Sequence, residues 1–355
     1  MKFSFVLHLL LPQEIEEKGF SPEIIPYGVA VDKEVETMLE QAQIVEYGST
    51  MQIISQTGES CSGNNWIIPL TPQMILRNQN LALEMAIDAC QMAQEQGAEI
   101  IGLALMLGKI GHRGQEIRKR VNIPMTNGDC YLVSNSIQVL MKLLDLFEWD
   151  PKRERVAVYG FPSTISTILS ECLVSLGIDV TLIAKRTRHV QKLIDEISDK
   201  YHASLELASS IQEAQQNSRI IFAAGAEEQI ITVDELAKPA VIIDVSVPRN
   251  GNALRGCNRA LVIDAGMVSL PGSTLNISGF YPNQVLPCLS ELIILSLEER
   301  KEDYSLGRNL TLAKVEEIGI LAQKYGFVVD NLYSFGKPIN IEYLLHFRDV
   351  LSSYS

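Results

Sequence analysis

The sequence predicts an α/β protein: a mixed N-terminal domain, then a second half built on a parallel sheet, then C-terminal helices. Three observations carry this expectation. From Arg155 onward, short β-rich runs alternate with amphipathic stretches, which is the pattern of βαβ units. The 355 residues, 46% of them hydrophobic, hold enough apolar material for two ordinary domains. Between the two patterns stands Trp149-Asp150-Pro151, a linker-like break. The expected division is therefore a substrate domain over 1–150, a Rossmann-type nucleotide domain over 151–283, and a helical segment over 284–355.

Each element has its own signal. The opening MKFSFVLHLLLPQEIEE reads as a buried strand, because a single Lys, no small-residue cleavage site and an acidic stretch directly after it argue against a signal peptide. Residues 71–97 read as one helix, with Thr71 to cap it, Pro72 in its first turn and Gly97 to stop it. The apolar run Ile100 to Leu107 reads as a buried strand, and a further helix is expected from about Tyr131 to Leu146. In the second half the strands are RVAVYG, DVTLIAK, RIIFAAG, AVIIDVS and RALVIDAG, in the order a dinucleotide domain requires. Helices over 284–302 and 311–325 follow.

Composition narrows the function. A net charge of -13 and a pI near 5.0 give no field across the whole molecule that attracts nucleic acid or anionic lipid. Six cysteines without a CxxC pair or a compact framework read as reduced thiols, hence a cytoplasmic protein. No uninterrupted apolar run reaches the roughly 18 residues needed for a transmembrane segment.

Three places could carry chemistry. The first βα turn of the nucleotide domain is the natural phosphate site, because backbone N–H groups and the helix dipole converge there. Here it keeps only Gly160 of the usual glycines, while Ser163 and Ser166 stand where later glycines would be and Thr164 lies between them. Their β-carbons crowd a pyrophosphate but their hydroxyls can donate to one, so both a working site and a lost one stay open. At the end of the second strand, Lys185, Arg186 and Arg188 replace the acidic residue that favours NAD, which points either to the 2′-phosphate of NADPH or to an ordinary solvated helix start. Cys288 follows Pro287 at the start of a helix, where the dipole lowers a thiol pKa; a core cysteine is the competing reading. His8, in an apolar strand, reads as a core histidine, and the other cysteines as packing residues.

An ordered set of segments resembles the cyanobacterial long-chain acyl-[acyl-carrier-protein] reductases. They are Phe5-Val6-Leu7-His8-Leu9, Pro72-Gln73-Met74-Ile75, Thr126-Asn127-Gly128, Val241-Ile242-Ile243-Asp244 with Pro248-Arg249-Asn250, Gly307-Arg308-Asn309, Glu317-Ile318-Gly319 and Tyr325-Gly326-Phe327. The resemblance covers about residues 1–327 and departs from the family at the glycine turn and at Leu105-Met106-Leu107-Gly108-Lys109. It implies NADPH-dependent reduction of a fatty acyl thioester to an aldehyde, with Cys288 as nucleophile and Glu291 three residues beyond it. It also implies an acidic acyl-carrier protein, or acyl-CoA, as partner. The basic run Lys109, Arg113, Arg118, Lys119 and Arg120 is then the expected dock. The departures leave a second possibility, an acyl- or carrier-binding paralogue without redox activity.

Overall fold

The computed structural model describes residues 1–9, 32–184, 190–225, 229–247, 249–270, 284–308 and 310–354. Two compact units emerge, one of Met1–Leu132 with Met267–Val328 and one of Val133–Gly266 with Val329–Ser355. The division does not follow chain order as expected from the composition break. One boundary lies inside the helix Asp129–Phe147, and the segment after 284 is shared between the units.

The first unit is built on a five-stranded sheet in the order β2-β3-β1-β4-β5, with β1 Lys2–His8, β2 Val45–Ile54, β3 Ser60–Ile68, β4 Ile100–Leu103 and β5 Met125–Thr126. β1, β3, β4 and β5 are parallel, and β2 joins antiparallel at the edge. The β2–β3 pair was not anticipated, because polar residues such as Asn64 and Asn65 interrupt its apolar pattern. The expected helix over 71–97 is two, Pro72–Arg77 and Gln79–Glu95. Asn78 ends the first and caps the second through its side chain on the Leu81 amide, a local bond that competes with helix continuation. A short hairpin, β12 Val268–Ser269 with β13 Gln284–Val285, leads to the helix Pro287–Leu297, which is buried along its whole length. That burial explains why its sequence is apolar all round rather than on one stripe. The helix Leu312–Tyr325 follows, stopped by Gly326 in the left-handed region.

The second unit carries six parallel strands in the order β11-β10-β9-β6-β7-β8. They are β6 Arg155–Tyr159, β7 Asp179–Ile183, β8 Leu205–Ala208, β9 Ile220–Ala223, β10 Ala240–Asp244 and β11 Ala260–Asp264. Counted from the first strand of the unit this is 3-2-1-4-5-6 reversed end for end, the Rossmann order. Its central strands are buried on both faces, as a parallel sheet covered on two sides demands. β8 was missed in the sequence because LELA alternates weakly and is only partly buried. Residues 329–355 contribute a hairpin, β14 Tyr333–Ser334 with β15 Lys337–Pro338, and the helix Ile341–Ser352.

Among the described residues one helix, Asp129–Phe147, is long and apolar enough to cross a bilayer by length and composition. Of that stretch, 56% is buried inside the protein, and it carries Lys142 and Asp145.

Candidate functional site

The first unit gathers an unusual set of groups at the carboxyl end of β4 and β5. Cys288 occupies the second position of its helix, after Pro287, so its sulfur lies where amide N–H groups are unpaired within the helix. Burial pushes its thiol up to about 12, opposed by hydrogen bonds from the backbone amides of Leu105, Leu289 and Cys288 itself. The dipole argument from sequence thus has the right direction and loses to desolvation. In its resting state this is a thiol held among donors ready for an anion.

Leu105 reaches the sulfur because the chain turns sharply after β4. The expected strand 100–107 ends at Leu103, and Leu105 has φ +49, a left-handed conformation that costs a branched side chain roughly 1–2 kcal/mol. His112 and Arg113 share this conformation at φ +53 and +58. What holds the loop is the turn after β5. The Asn127 side chain donates to the Gly108 carbonyl at 3.0 Å and the Arg113 carbonyl at 2.9 Å, and Arg113 pairs with Asp129. Gly128 sits directly on Cys288: at φ +78, a β-carbon there would overlap the Cys288 backbone.

Glu291 lies one turn further along the Cys288 helix and is completely buried. Its carboxylate accepts from the Thr126 hydroxyl and from the Tyr131 amide at 2.8 Å. Burial raises its pKa to about 7, against the hydrogen bonds from Thr126, Ser305 and Tyr131. His8 is also fully buried, and desolvation lowers it to about 4. Its Nδ1 donates to the Leu9 carbonyl at 2.8 Å, which leaves Nε2 as an acceptor without a partner. Strand alternation decides its role. Phe5 and Gly102 face Leu292 of the Cys288 helix, so His8, three positions on in β1, lies on the opposite face. It belongs to the core, as its sequence context indicated.

The basic run is largely neutralised by the chain itself. Arg113 is tied to Asp129, Arg118 to Asp303 at 2.8 Å, and Arg120 to Glu84 at 3.4 Å. Lys109 lies close enough to Asp129 to favour its charge. Lys119 is exposed and makes no ion pair among the described residues.

In the second unit the turn after β6 meets the end of β9, where the strand order reverses. Gly160, at φ +92, approaches so closely that a β-carbon would overlap the Gly225 backbone. The Gly225 amide is held by the Asn250 side chain at 2.8 Å, and Asn250 sits on the turn ordered by Asp244 and Ser246. Neither Gly225 nor Asn250 was singled out as a site residue from sequence, since their partners lie 65 and 25 positions away. Ser163 and Ser166 are not free hydroxyls. Ser163 caps the helix Thr164–Ser175 by accepting from the Ser166 amide at 3.1 Å, and Ser166 accepts from the Ser163 amide at 2.7 Å, a reciprocal capping box. The Ser163 hydroxyl also donates to the Ala224 carbonyl at 3.1 Å.

The dinucleotide fit can be tested on these residues. The amides of Thr164 and Ile165 in the first turn are not used by the cap and can meet a pyrophosphate, while Gly160 and Gly225 let the turn pack against the end of β9, with Gln229 and Asn250 beside Gly225. The residues present fit the group. Lys185, Arg186 and Arg188, expected to read a 2′-phosphate, lie outside the described residues.

The family model for shikimate/quinate 5-dehydrogenase matches residues 145–267. The protein named Aminotransferase PigE from Serratia sp. (strain ATCC 39006) is 29% identical over 314 residues, which are 86% of this chain but 37% of that protein. The chain thus spans little more than a third of the length of this curated relative. Among solved structures, the NAD-dependent malic enzyme of Thermotoga maritima is 14% identical, with 98% of this chain and 83% of that one covered and a TM-score of 0.42. L-tryptophan dehydrogenase of Nostoc punctiforme is 10% identical, with 100% and 89% covered and a TM-score of 0.40. None of these is named an acyl-[acyl-carrier-protein] reductase. Residues 145–267 are thus similar to the shikimate/quinate 5-dehydrogenase family, and the six-stranded sheet that they span has the Rossmann order.

Proposed function

We propose that the protein reduces a fatty acyl thioester to an aldehyde through an acyl-cysteine at Cys288, with NADPH as the reductant. The observation that carries this reading is the sulfur of Cys288 held among the amides of Leu105, Leu289 and Cys288 at the head of a buried helix. A buried thiol surrounded by donors is poorly explained as packing, which needs no donors.

The residues of the chain have definite tasks in this reaction. Sγ attacks the thioester carbonyl and forms a new C–S bond. The bond to the carrier sulfur breaks, and the carrier thiol leaves with the proton that Sγ gave up. The Leu105 and Leu289 amides stabilise negative charge on sulfur before attack. The nicotinamide, when bound, would supply a hydride to the acyl carbonyl, after which the C–S bond to Cys288 breaks, releasing the aldehyde and leaving the sulfur on Cys288. The amides of Thr164 and Ile165 would hold its pyrophosphate, with Lys185, Arg186 and Arg188 at the 2′-phosphate. Within this reading an acidic carrier, or acyl-CoA, meets the loop at Lys119, and at Arg120 in exchange for Glu84.

The occupied serine cap favours one alternative, an acyl-binding paralogue without redox chemistry. The two separate on incubation with an acyl thioester without nucleotide, followed by peptide mass spectrometry. An acyl adduct on Cys288 that Cys288→Ala abolishes, together with NADPH binding by titration, is expected. NADPH binding without an adduct at Cys288 removes the nucleophile, and an adduct without nucleotide binding leaves the acyl-binding alternative.

A further inference from the structure

Glu291 is the buried acid that the reaction above does not use. It lies on the same helix as Cys288 and three residues on, so the two share a helix face. Its hydrogen bonds all come from donors, and they form a directed chain. Thr126 has a single hydroxyl proton and gives it to Glu291. The same oxygen accepts from the Gly128 amide at 3.3 Å and from the Ser305 amide at 3.3 Å. The second carboxylate oxygen accepts from the Tyr131 amide at 2.8 Å, in the first turn of the helix that Gly128 leads into. The carboxylate of Glu291 thus fixes both sides of the turn that rests on Cys288, and the next residue in that turn, Asn127, anchors the loop that carries Leu105.

Resting on the proposed role of Cys288, we propose that Glu291 is a positioning residue: acting through Thr126, its charged carboxylate seats the turn at Gly128 against Cys288 and keeps the amide of Leu105 directed at the sulfur. The hydrogen-bond pattern favours the charged form. A protonated Glu291 has an O–H to place, and its neighbours Thr126, Ser305 and Tyr131 already present donors to it. Placing that proton on Thr126 reverses the hydroxyl and displaces the Gly128 amide.

The groups facing Glu291 give it no cation of its own. Asp129 raises its pKa, and Asp129 is itself compensated by Arg113 and Lys109. Cys130 and Tyr304 feel its charge as a further obstacle to their own ionisation, with Lys314 and Glu317 beyond them. Cys288 lies on the other side of the Gly128 turn. A switch between the two forms therefore falls near neutral pH.

The test follows alkylation of Cys288 by iodoacetamide against pH, read peptide by peptide by mass spectrometry, with no thioester or nucleotide present. The unmodified protein should show two rises in rate, one near pH 7 as Glu291 ionises and a second as the thiol itself ionises. Glu291→Gln should lose the first rise and keep the second. Thr126→Val should lose it as well, with the carboxylate in place, and Thr126→Ser should restore it, which a merely structural loss would not do. A rise near pH 7 that persists in Glu291→Gln, or a profile in Thr126→Ser that matches Thr126→Val, overturns the proposal. Because no substrate enters this assay, that failure leaves the acyl-adduct experiment untouched. Conversely, a profile that behaves as expected beside an absent adduct overturns the reductase reading alone.

Discussion

Replacing Gly128 by alanine should be among the most damaging single-methyl additions in the protein. Two costs add. At φ +78 any L-residue pays for the left-handed conformation, roughly 1–2 kcal/mol. The new methyl would also overlap the Cys288 backbone, which belongs to a helix buried along its whole length and has no room to move. Overpacking of this kind costs about 1–3 kcal/mol. The sum is about 2–5 kcal/mol. Gly58→Ala is the internal control, in the same unit and at φ +92, with nothing within 4 Å of the added carbon, so it pays only the conformational part. Urea unfolding of the two variants should give a difference of about 1–3 kcal/mol in favour of Gly58→Ala. Gly128→Ala should also change the rate of Cys288 alkylation while Gly58→Ala does not. Equal destabilisation by the two substitutions would refute the contact between the turn and Cys288.

Two further outcomes follow from the hydrogen bonds and ionisation described above. Ser163→Ala should lower stability by about 0.5–2 kcal/mol in thermal or urea unfolding, because it removes the cap of the helix Thr164–Ser175. The same change frees the Ser166 amide for a phosphate, so NADPH binding measured by titration should hold or tighten even as stability falls. Glu291 makes stability depend on pH: its folded pKa of about 7 lies above the ordinary value of 4.5, so the folded state binds the proton more tightly. Its contribution is therefore full below about pH 4.5 and is lost as pH rises towards 7, by roughly 3 kcal/mol at about 1.36 kcal/mol per unit. Glu291→Gln should flatten that slope in urea titrations between pH 5 and 8, and an unchanged slope would place the titrating group elsewhere.

The charge on Glu291 thus costs stability at the pH where its hydrogen bonds call for it, a pattern typical of groups kept for function. The donors around it belong to segments far apart in the chain. Thr126 and Tyr131 precede it by 165 and 160 positions. No local pattern could have announced them, and Glu291 was visible beforehand only as part of a resemblance to a family.

What the sequence determined by itself was set by local chemistry. The alternation of β-rich runs with amphipathic stretches dictated the Rossmann sheet, because parallel strands buried on both faces must be apolar, as Ile220–Ala223 and residues 240–243 are. Pro287 placed Cys288 at a helix head, and the serines at 163 and 166 were legible as departures from a glycine turn. Tertiary structure decided what those residues mean. Ser163 and Ser166 became a cap because each side chain met the other's amide, a use that competes with phosphate binding. Arg113, Arg118 and Arg120 became ion-paired because Asp129, Asp303 and Glu84 were folded against them, and the basic stretch lost most of its free charge. Gly225 joined Gly160 only at the point where the sheet reverses its order. The sulfur of Cys288, expected to be an acidic thiol from its helix position, is a weak acid instead, because desolvation by burial outweighs three backbone hydrogen bonds.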